Sequence, residues 1–186
     1  MKKVLIVIDM HNDFVDGVLG TKEAKSVVPK IVEKMKSYEG ADNIVLFTKD
    51  THYDNYKDTQ EGKFLPVEHC IINTPGWSIV KDIHDEFKHG NYATISSDKV
   101  INGRILKPTF GSRELANIVA DLNPGEIELV GVCTDICVMS NAILLKTALP
   151  ETLITVDASC CAGVTPESHQ AALTTMKMCQ INVIGE

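Results

Sequence analysis

The sequence predicts an α/β protein: a three-layer, Rossmann-like arrangement with a mostly parallel sheet and helices on both faces. Three observations carry this. Segments with strand and helix periodicity alternate along the chain, which implies repeated β-α units. The strand-patterned segments, above all Val4 to Ile8, include continuous apolar runs, as expected of parallel strands covered on both faces. The composition, 186 residues with 44% hydrophobic and 23% charged, is that of one globular domain spanning 1–186 and leaves no room for two ordinary ones.

Val4 to Ile8 reads as the first strand. Ser26 to Tyr38 reads as a helix, with Pro29 tolerable in its first turn, Ile31, Val32 and Met35 at helical spacing, and Gly40 closing it. Asn43 to Thr48 is the second strand. The polar stretch from Lys49 to about Gly76 has little periodicity, and loops of that length in compact domains are usually functional. Beyond it come a short helix at Ser78 to Phe87, a strand at Tyr92 to Ser96 and a weaker one at Ile105-Leu106. Ser112 to Leu122 is a helix with Ser112 as N-cap and Leu115, Ile118 and Val119 turned inward. The chain closes with a strand at Ile127 to Val132, a helix at Asp135 to Leu149, a strand at Leu153 to Val156, a helix at Pro166 to Met178 and a last strand at Ile181 to Ile184.

The net charge of −7, with no basic block, argues against nucleic acid or an anionic membrane as partner. No apolar run approaches the roughly 18 residues of a membrane span. Met1-Lys-Lys begins like a signal peptide, but the apolar run that follows is five residues long and Asp9 ends it, so a strand and a cytoplasmic protein are expected. The six cysteines form no C-x-x-C pair, which disfavours a zinc ribbon or a thioredoxin-like site; most read as small buried hydrophobes.

Ligands of such folds sit beyond the carboxyl ends of the strands. That rule brings Asp9, Lys49 to His52 and Cys133 to Cys137 to one rim. Cys137 follows an apolar strand and a short turn and opens a helix, where the positive end of the helix dipole favours thiolate and the backbone N–H groups of the turn are placed to hold an oxyanion. It is the candidate nucleophile. Asp9, straight after five apolar residues, is the candidate base; Asp13 competes but reads as a turn residue. Asp50 and His52 alternate onto one side of the chain, and carboxylate with imidazole is metal chemistry. Glu61 and His69 on the same loop bring the set to four protein ligands. His11, His84, His89 and His169 read as structural or surface residues.

Four blocks in order, Val7-Ile-Asp-Met-His-Asn-Asp-Phe14, Thr48-Lys-Asp-Thr-His52, His69-Cys-Ile-Ile-Asn-Thr-Pro-Gly76 and Val130-Gly-Val-Cys-Thr-Asp-Ile-Cys137, with a fifth at Lys107-Pro-Thr-Phe-Gly-Ser112, resemble the isochorismatase-like cysteine hydrolases, and among them the nicotinamidases. The resemblance spans most of the chain. It implies the isochorismatase-like fold and a triad of Cys137, Asp9 and Lys107. It also implies a cis peptide between Val132 and Cys133 and an oxyanion hole made by the N–H groups of Cys133 and Cys137. The nicotinamidase branch adds one divalent metal, zinc or else manganese or iron. Asp50, His52 and His69 match its ligand positions, a set that relatives acting on isochorismate, N-carbamoyl compounds or ureidoacrylate generally lack.

Two residues depart from the pattern. His11 stands where glutamine is usual, and no third histidine follows Asp50-Thr-His52, so Glu61 takes that place. The implied reaction is hydrolysis of a small-molecule amide, nicotinamide, through a cysteine thioester, as a step of NAD salvage, by a homo-oligomer. Phe14, Leu19 and Trp77 are expected to supply apolar pocket walls. The alternatives are another C–N hydrolase of the same family and a non-catalytic thiol redox sensor.

Overall fold

In the computed structural model, which describes residues 2–93, 95–98 and 100–186, strand β1 (Lys3–Ile8) lies inside the sheet and its residues Val4 to Ile8 are all fully buried. Val4, Ile6 and Ile8 pack into the core on one face, and Leu5 and Val7 into the core on the other. Period-two alternation with both faces covered explains why the run is continuously apolar. Each of these side chains contributes about 1.5–3 kcal/mol by leaving water.

Along the chain follow α1 (Asn12–Val15), α2 (Lys22–Lys36), β2 (Gly40–Asp50), a 3₁₀ turn at Tyr56–Asp58, α3 (Gln60–Phe64), α4 (Lys81–His89), β3 (Tyr92–Ala93) and β4 (Arg104–Lys107). Then come α5 (Arg113–Leu122), β5 (Glu126–Val132), a π-helical turn at Thr134–Val138, α6 (Met139–Ala148), β6 (Leu153–Ala162), α7 (Pro166–Met178) and β7 (Asn182–Ile184). The sheet runs β3-β2-β1-β5-β6-β7, with β4 also on β2, and the paired strands are parallel. Helices α5, α6 and α7 cover one face through Leu115, Val119, Leu145 and Leu173; α2 and α4 cover the other through Val27, Ile31, Met35 and Ile83. This is the three-layer α/β architecture read from the sequence.

Several boundaries differ from that reading. Helix α2 starts earlier, capped by Thr21, and ends at Ser37; Gly40, at φ 135°, opens β2 instead of closing the helix. The long loop holds α3, too short to leave a periodic signature, and the same is true of α1. Strand β3 is only Tyr92–Ala93, and Thr94, within the expected strand, lies outside the described residues. The helix expected from Asp135 begins as the π turn. Strand β6 extends six residues past Val156, because a register shift between Leu129 and Gly131 of β5 places the polar Asp157 and Ser159 on an irregular stretch where the apolar pattern breaks.

A half-buried ionic cluster ties α2 to the sheet. Lys34 Nζ lies 2.6 Å from Glu128 Oε1 and 2.9 Å from Asp157 Oδ2, and the Tyr38 hydroxyl donates to Glu128 Oε2 at 2.7 Å. No helix among the described residues is long and apolar enough to cross a membrane.

Candidate active site

The carboxyl ends of β1, β2, β4 and β5 meet at one rim. Asp9, just past β1, is fully buried in a left-handed backbone conformation (φ 48°) that non-glycine residues seldom adopt. Thr48 holds it from β2. Its Oγ1 accepts from the Asp9 N–H at 3.2 Å and donates to Asp9 Oδ1 at 2.7 Å. The Asp50 N–H donates to the same Oδ1 at 3.1 Å. Asp13, in α1 instead of the expected turn, is occupied elsewhere. Its Oδ2 accepts from the Cys70 N–H at 2.8 Å, and Gly76 leaves no space for a Cβ against that carboxylate.

The β2–β4 register sets Lys107 opposite Asp50. The buried ammonium lies 2.6 Å from Asp9 Oδ2, 3.3 Å from Asp50 Oδ1 and 3.5 Å from Cys137 Sγ, and it donates to the Thr109 carbonyl at 3.1 Å. Burial pulls the Lys107 pKa down, but Asp9, Cys137 and Asp50 outweigh it and hold it well above the ordinary lysine value, so the group is a cation. Cys137 sits in the π turn between β5 and α6, buried. Burial pushes its thiol well above the ordinary value, Lys107 only partly offsetting this and the Asp9 charge adding to it. Burial thus acts against the thiolate that a helix end favours.

The Val132–Cys133 peptide is cis, as the resemblance implies. Gly131, at φ 122°, lets β5 pass so close to β1 that a Cβ there would meet the Ile8 carbonyl oxygen at 2.2 Å. The Cys133 carbonyl turns inward to accept from the N–H groups of Ile136 and Val138, each at 3.1 Å.

The second oxygen of Asp50 faces a ligand cluster. Asp50, His52 and His69 bring ligand atoms within 4.8 Å of one another. Asp50 Oδ2 lies 3.0 Å from His52 Nε2 and 3.5 Å from His69 Nε2, and Glu61 Oε1 lies 3.6 and 3.7 Å from the same two nitrogens. The residues fit a divalent metal on their own geometry. His52 Nε2 is buried and, despite the short separation from Asp50, makes no aligned hydrogen bond. His69 engages Nδ1 with the Val67 carbonyl at 2.8 Å, which leaves Nε2 as the free ligand atom. Burial raises the Asp50 carboxyl, but the adjoining His52 and His69 imidazoles and the Lys107 charge overcome this and hold it well below the usual carboxylate range. Tyr56, fully buried beside both imidazoles, donates its hydroxyl to the Leu65 carbonyl at 2.8 Å and pins α3, which carries Glu61. Glu68 instead pairs with Lys57 at 3.0 Å on the surface.

A cavity of about 310 Å³ opens onto Cys137, with Asp50, Glu61 and His69 on one side and Phe14, Leu19, Leu65 and Ile136 as apolar wall. Phe14 and Leu19 line this cavity. Trp77 does not. It lines a separate hollow with Lys49 and Arg104, its Nε1 donating to Thr51 Oγ1 at 2.9 Å. A lone loop aromatic carries no signal of which way it faces, and the wall it was expected to form is made by Leu65 and Ile136.

Two positioning residues escaped the sequence reading. Thr48 lay within a recognised block with no role attached. Asn141, fully buried on α6, donates to the carbonyls of Cys137 (2.7 Å) and Phe110 (3.2 Å) and accepts from the Ser112 N–H (2.9 Å), clamping the segment after Lys107 to the turn of Cys137. Its signal, a polar residue on the inward face of an apolar helix, is visible only once that face is known.

Fold and site together define a class: a parallel-sheet α/β protein with cysteine, aspartate and lysine gathered at the carboxyl rim beside a histidine–carboxylate cluster. The model of the Isochorismatase domain matches residues 3–185. The chain belongs to this family and is an enzyme of the isochorismatase-like hydrolases. A Bacillus subtilis relative, described as the uncharacterized isochorismatase family protein PncA, is 30% identical over 151 residues, 77% of this chain and 78% of that protein. The crystal structure of the nicotinamidase/pyrazinamidase PncA from Bacillus subtilis superposes with a TM-score of 0.81 at 25% identity, covering 99% of this chain and 100% of that one. That of the pyrazinamidase of Pyrococcus horikoshii in complex with zinc gives 0.76 at 22% identity, covering 99% of each chain.

Proposed function

We propose that the protein is a metal-containing cysteine amidohydrolase that converts nicotinamide to nicotinate and ammonia. The observation that carries this is Asp50, whose one oxygen meets Lys107 beside Cys137 and whose other oxygen meets His52 and His69. A carboxamide carbon and a ring nitrogen of one small molecule thus have partners across a single cavity. The Bacillus subtilis neighbour, a nicotinamidase/pyrazinamidase, and the Pyrococcus horikoshii neighbour, a pyrazinamidase crystallised with zinc, support the reading.

In this reading Asp9 takes the proton of the Cys137 thiol, and Lys107 balances the charge that forms. The thiolate attacks the carboxamide carbon, and the N–H groups of Cys133 and Cys137 receive the oxyanion. Asp9 gives its proton to the departing ammonia. It then accepts one from the water that cleaves the thioester, which frees nicotinate and restores the thiol. Asp50, His52, Glu61 and His69 would hold the divalent metal, zinc before manganese or iron. When bound, it supplies a Lewis-acid contact for the pyridine nitrogen that orients the ring. The place of such an enzyme is cytoplasmic pyridine nucleotide salvage.

Ammonia release from nicotinamide, pyrazinamide and N-carbamoyl compounds tests the assignment. Turnover of the pyridine and pyrazine carboxamides is expected. Cleavage of N-carbamoyl compounds with none of the carboxamides would transfer the protein to another branch of the family.

A further inference from the structure

Lys49 is 6% exposed, and among the described residues its ammonium has no carboxylate or hydrogen-bond acceptor; its neighbour is the Trp77 ring, 2.9 Å from Nζ to the centroid. Lysine is almost never buried unless paired. On the adjoining strand, the Arg104 guanidinium lies over the Phe87 ring, and among the described residues its hydrogen-bond acceptor is the Asn102 carbonyl alone, at 3.4 Å. The β2–β4 register pairs Phe47 with Arg104, so Lys49, two residues on from Phe47, and Arg104 share one face of the sheet. Two unpaired cations are thus held side by side in a chain whose net charge is −7, an arrangement that repels itself until an anion joins it.

The two cations line a hollow together with Asn12, Ser78, Lys81 and His84, and among the described residues no carboxylate lines it. Asp85 already engages Lys81 and His84, so the uncompensated charge is that of Lys49 and Arg104. On the other side of the pair, the hollow of Trp77 carries Asp98 and Glu114, whose charges disfavour an anion there.

We propose that the hollow lined by Lys49, Arg104, Asn12 and Ser78 is a binding site for an oxyanion, the phosphate or carboxylate group of a small metabolite. Arginine supplies a planar fork of donors and lysine a point charge, the combination suited to a tetrahedral or planar oxyanion. The site shares no lining residue with the Cys137 cavity but adjoins it in sequence. Lys49 precedes Asp50, Asn12 lies three residues after Asp9, and the N–H of Asn12 donates to the Ser78 carbonyl at 2.9 Å.

Trp77 is the only tryptophan in the chain, so its fluorescence reports directly on Lys49. Inorganic phosphate and acetate are to be titrated separately at constant ionic strength in sodium chloride, with Trp77 fluorescence and thermal unfolding as readouts. A saturable response is expected, its midpoint raised at least about tenfold in both Arg104→Gln and Lys49→Met. Thermal unfolding reads Lys49→Met independently of that variant's own effect on Trp77 emission. A response to phosphate alone assigns a phosphoryl ligand, and one to acetate alone or to both assigns a carboxylate-accepting site. No saturable response to either anion up to about 50 mM by either readout, or one undiminished in either variant, would overturn the proposal. Neither readout uses amide hydrolysis, so the outcome is separable from that of the activity assay.

Discussion

Thr48 and Asp9 are joined twice: one hydroxyl oxygen accepts from the Asp9 backbone N–H and donates to its carboxylate. This fixes both the left-handed backbone of Asp9 and the direction of its side chain, leaving Oδ2 for Lys107. Thr48→Val keeps the shape and removes both bonds. It should lower kcat about 10–100-fold with little change in KM, since Asp9 is misplaced while the cavity is intact. Urea unfolding should show a loss of about 1–2 kcal/mol from the unsatisfied N–H. An unchanged kcat would mean that Asp50 alone positions the carboxylate.

The two cysteines of the Cys133–Cys137 segment should separate cleanly. Cys137→Ala is expected to lower amide turnover by at least about 10⁴-fold without altering the circular dichroism spectrum. Cys133→Ala is expected to stay within about tenfold of the parent, because the proposed mechanism uses only the backbone of residue 133. Ammonia release at a parental rate from Cys137→Ala would remove the thioester mechanism.

Metal retention distinguishes Glu61 from Glu68. Glu61 stands against both imidazoles and Glu68 is occupied by Lys57. After dialysis against a metal buffer, Glu61→Ala should bind zinc at least about 100-fold more weakly, and Glu68→Ala should match the parent. The reverse order would move the fourth ligand to position 68.

The cluster of Lys34, Glu128 and Asp157 should govern the acid limb of stability. Burial raises the Asp157 carboxyl, but hydrogen bonds from Ser159 and the Lys34 ammonium prevail and hold it below the ordinary 3.8. A carboxyl depressed on folding contributes stability that is present above its ordinary value and lost as pH falls through its folded value. Unfolding free energy measured from about pH 7 down to about pH 3 should therefore drop steeply below about pH 4. Asp157→Asn should flatten that limb and cost about 1 kcal/mol at neutral pH, discounted for the solvent that still reaches the pair. An unchanged acid limb in Asp157→Asn would place the titrating group elsewhere.

Much of the site was legible because its residues stand where patterns end. Asp9 closes an apolar run, Asp50 and His52 follow a strand in alternation, and Cys137 falls between a strand and a helix. Lys107 had no such mark and was found only through resemblance. Thr48 and Asn141 were silent because a hydrogen-bonding partner 39 or 29 residues away leaves no local trace. The burial of the Cys137 thiol was silent for a related reason. A helix end can be read from a sequence, but complete burial is a property of the assembled rim. Trp77 faced away for reasons set by Thr51 and Lys49, neither of which announces a direction.

The wall of the Cys137 cavity is built from side chains that take no part in the polar frame. The side chains of Leu19, Leu65 and Ile136 contribute apolar surface, while Asn141 grips Phe110 by its carbonyl and leaves the ring free. Reaction chemistry and cavity shape are therefore separately heritable. Substitutions along the wall can retune the size and outline of the amide that is admitted while Asp9, Lys107 and Cys137 keep their places, so that one inherited set of proposed reacting groups can serve a succession of substrates.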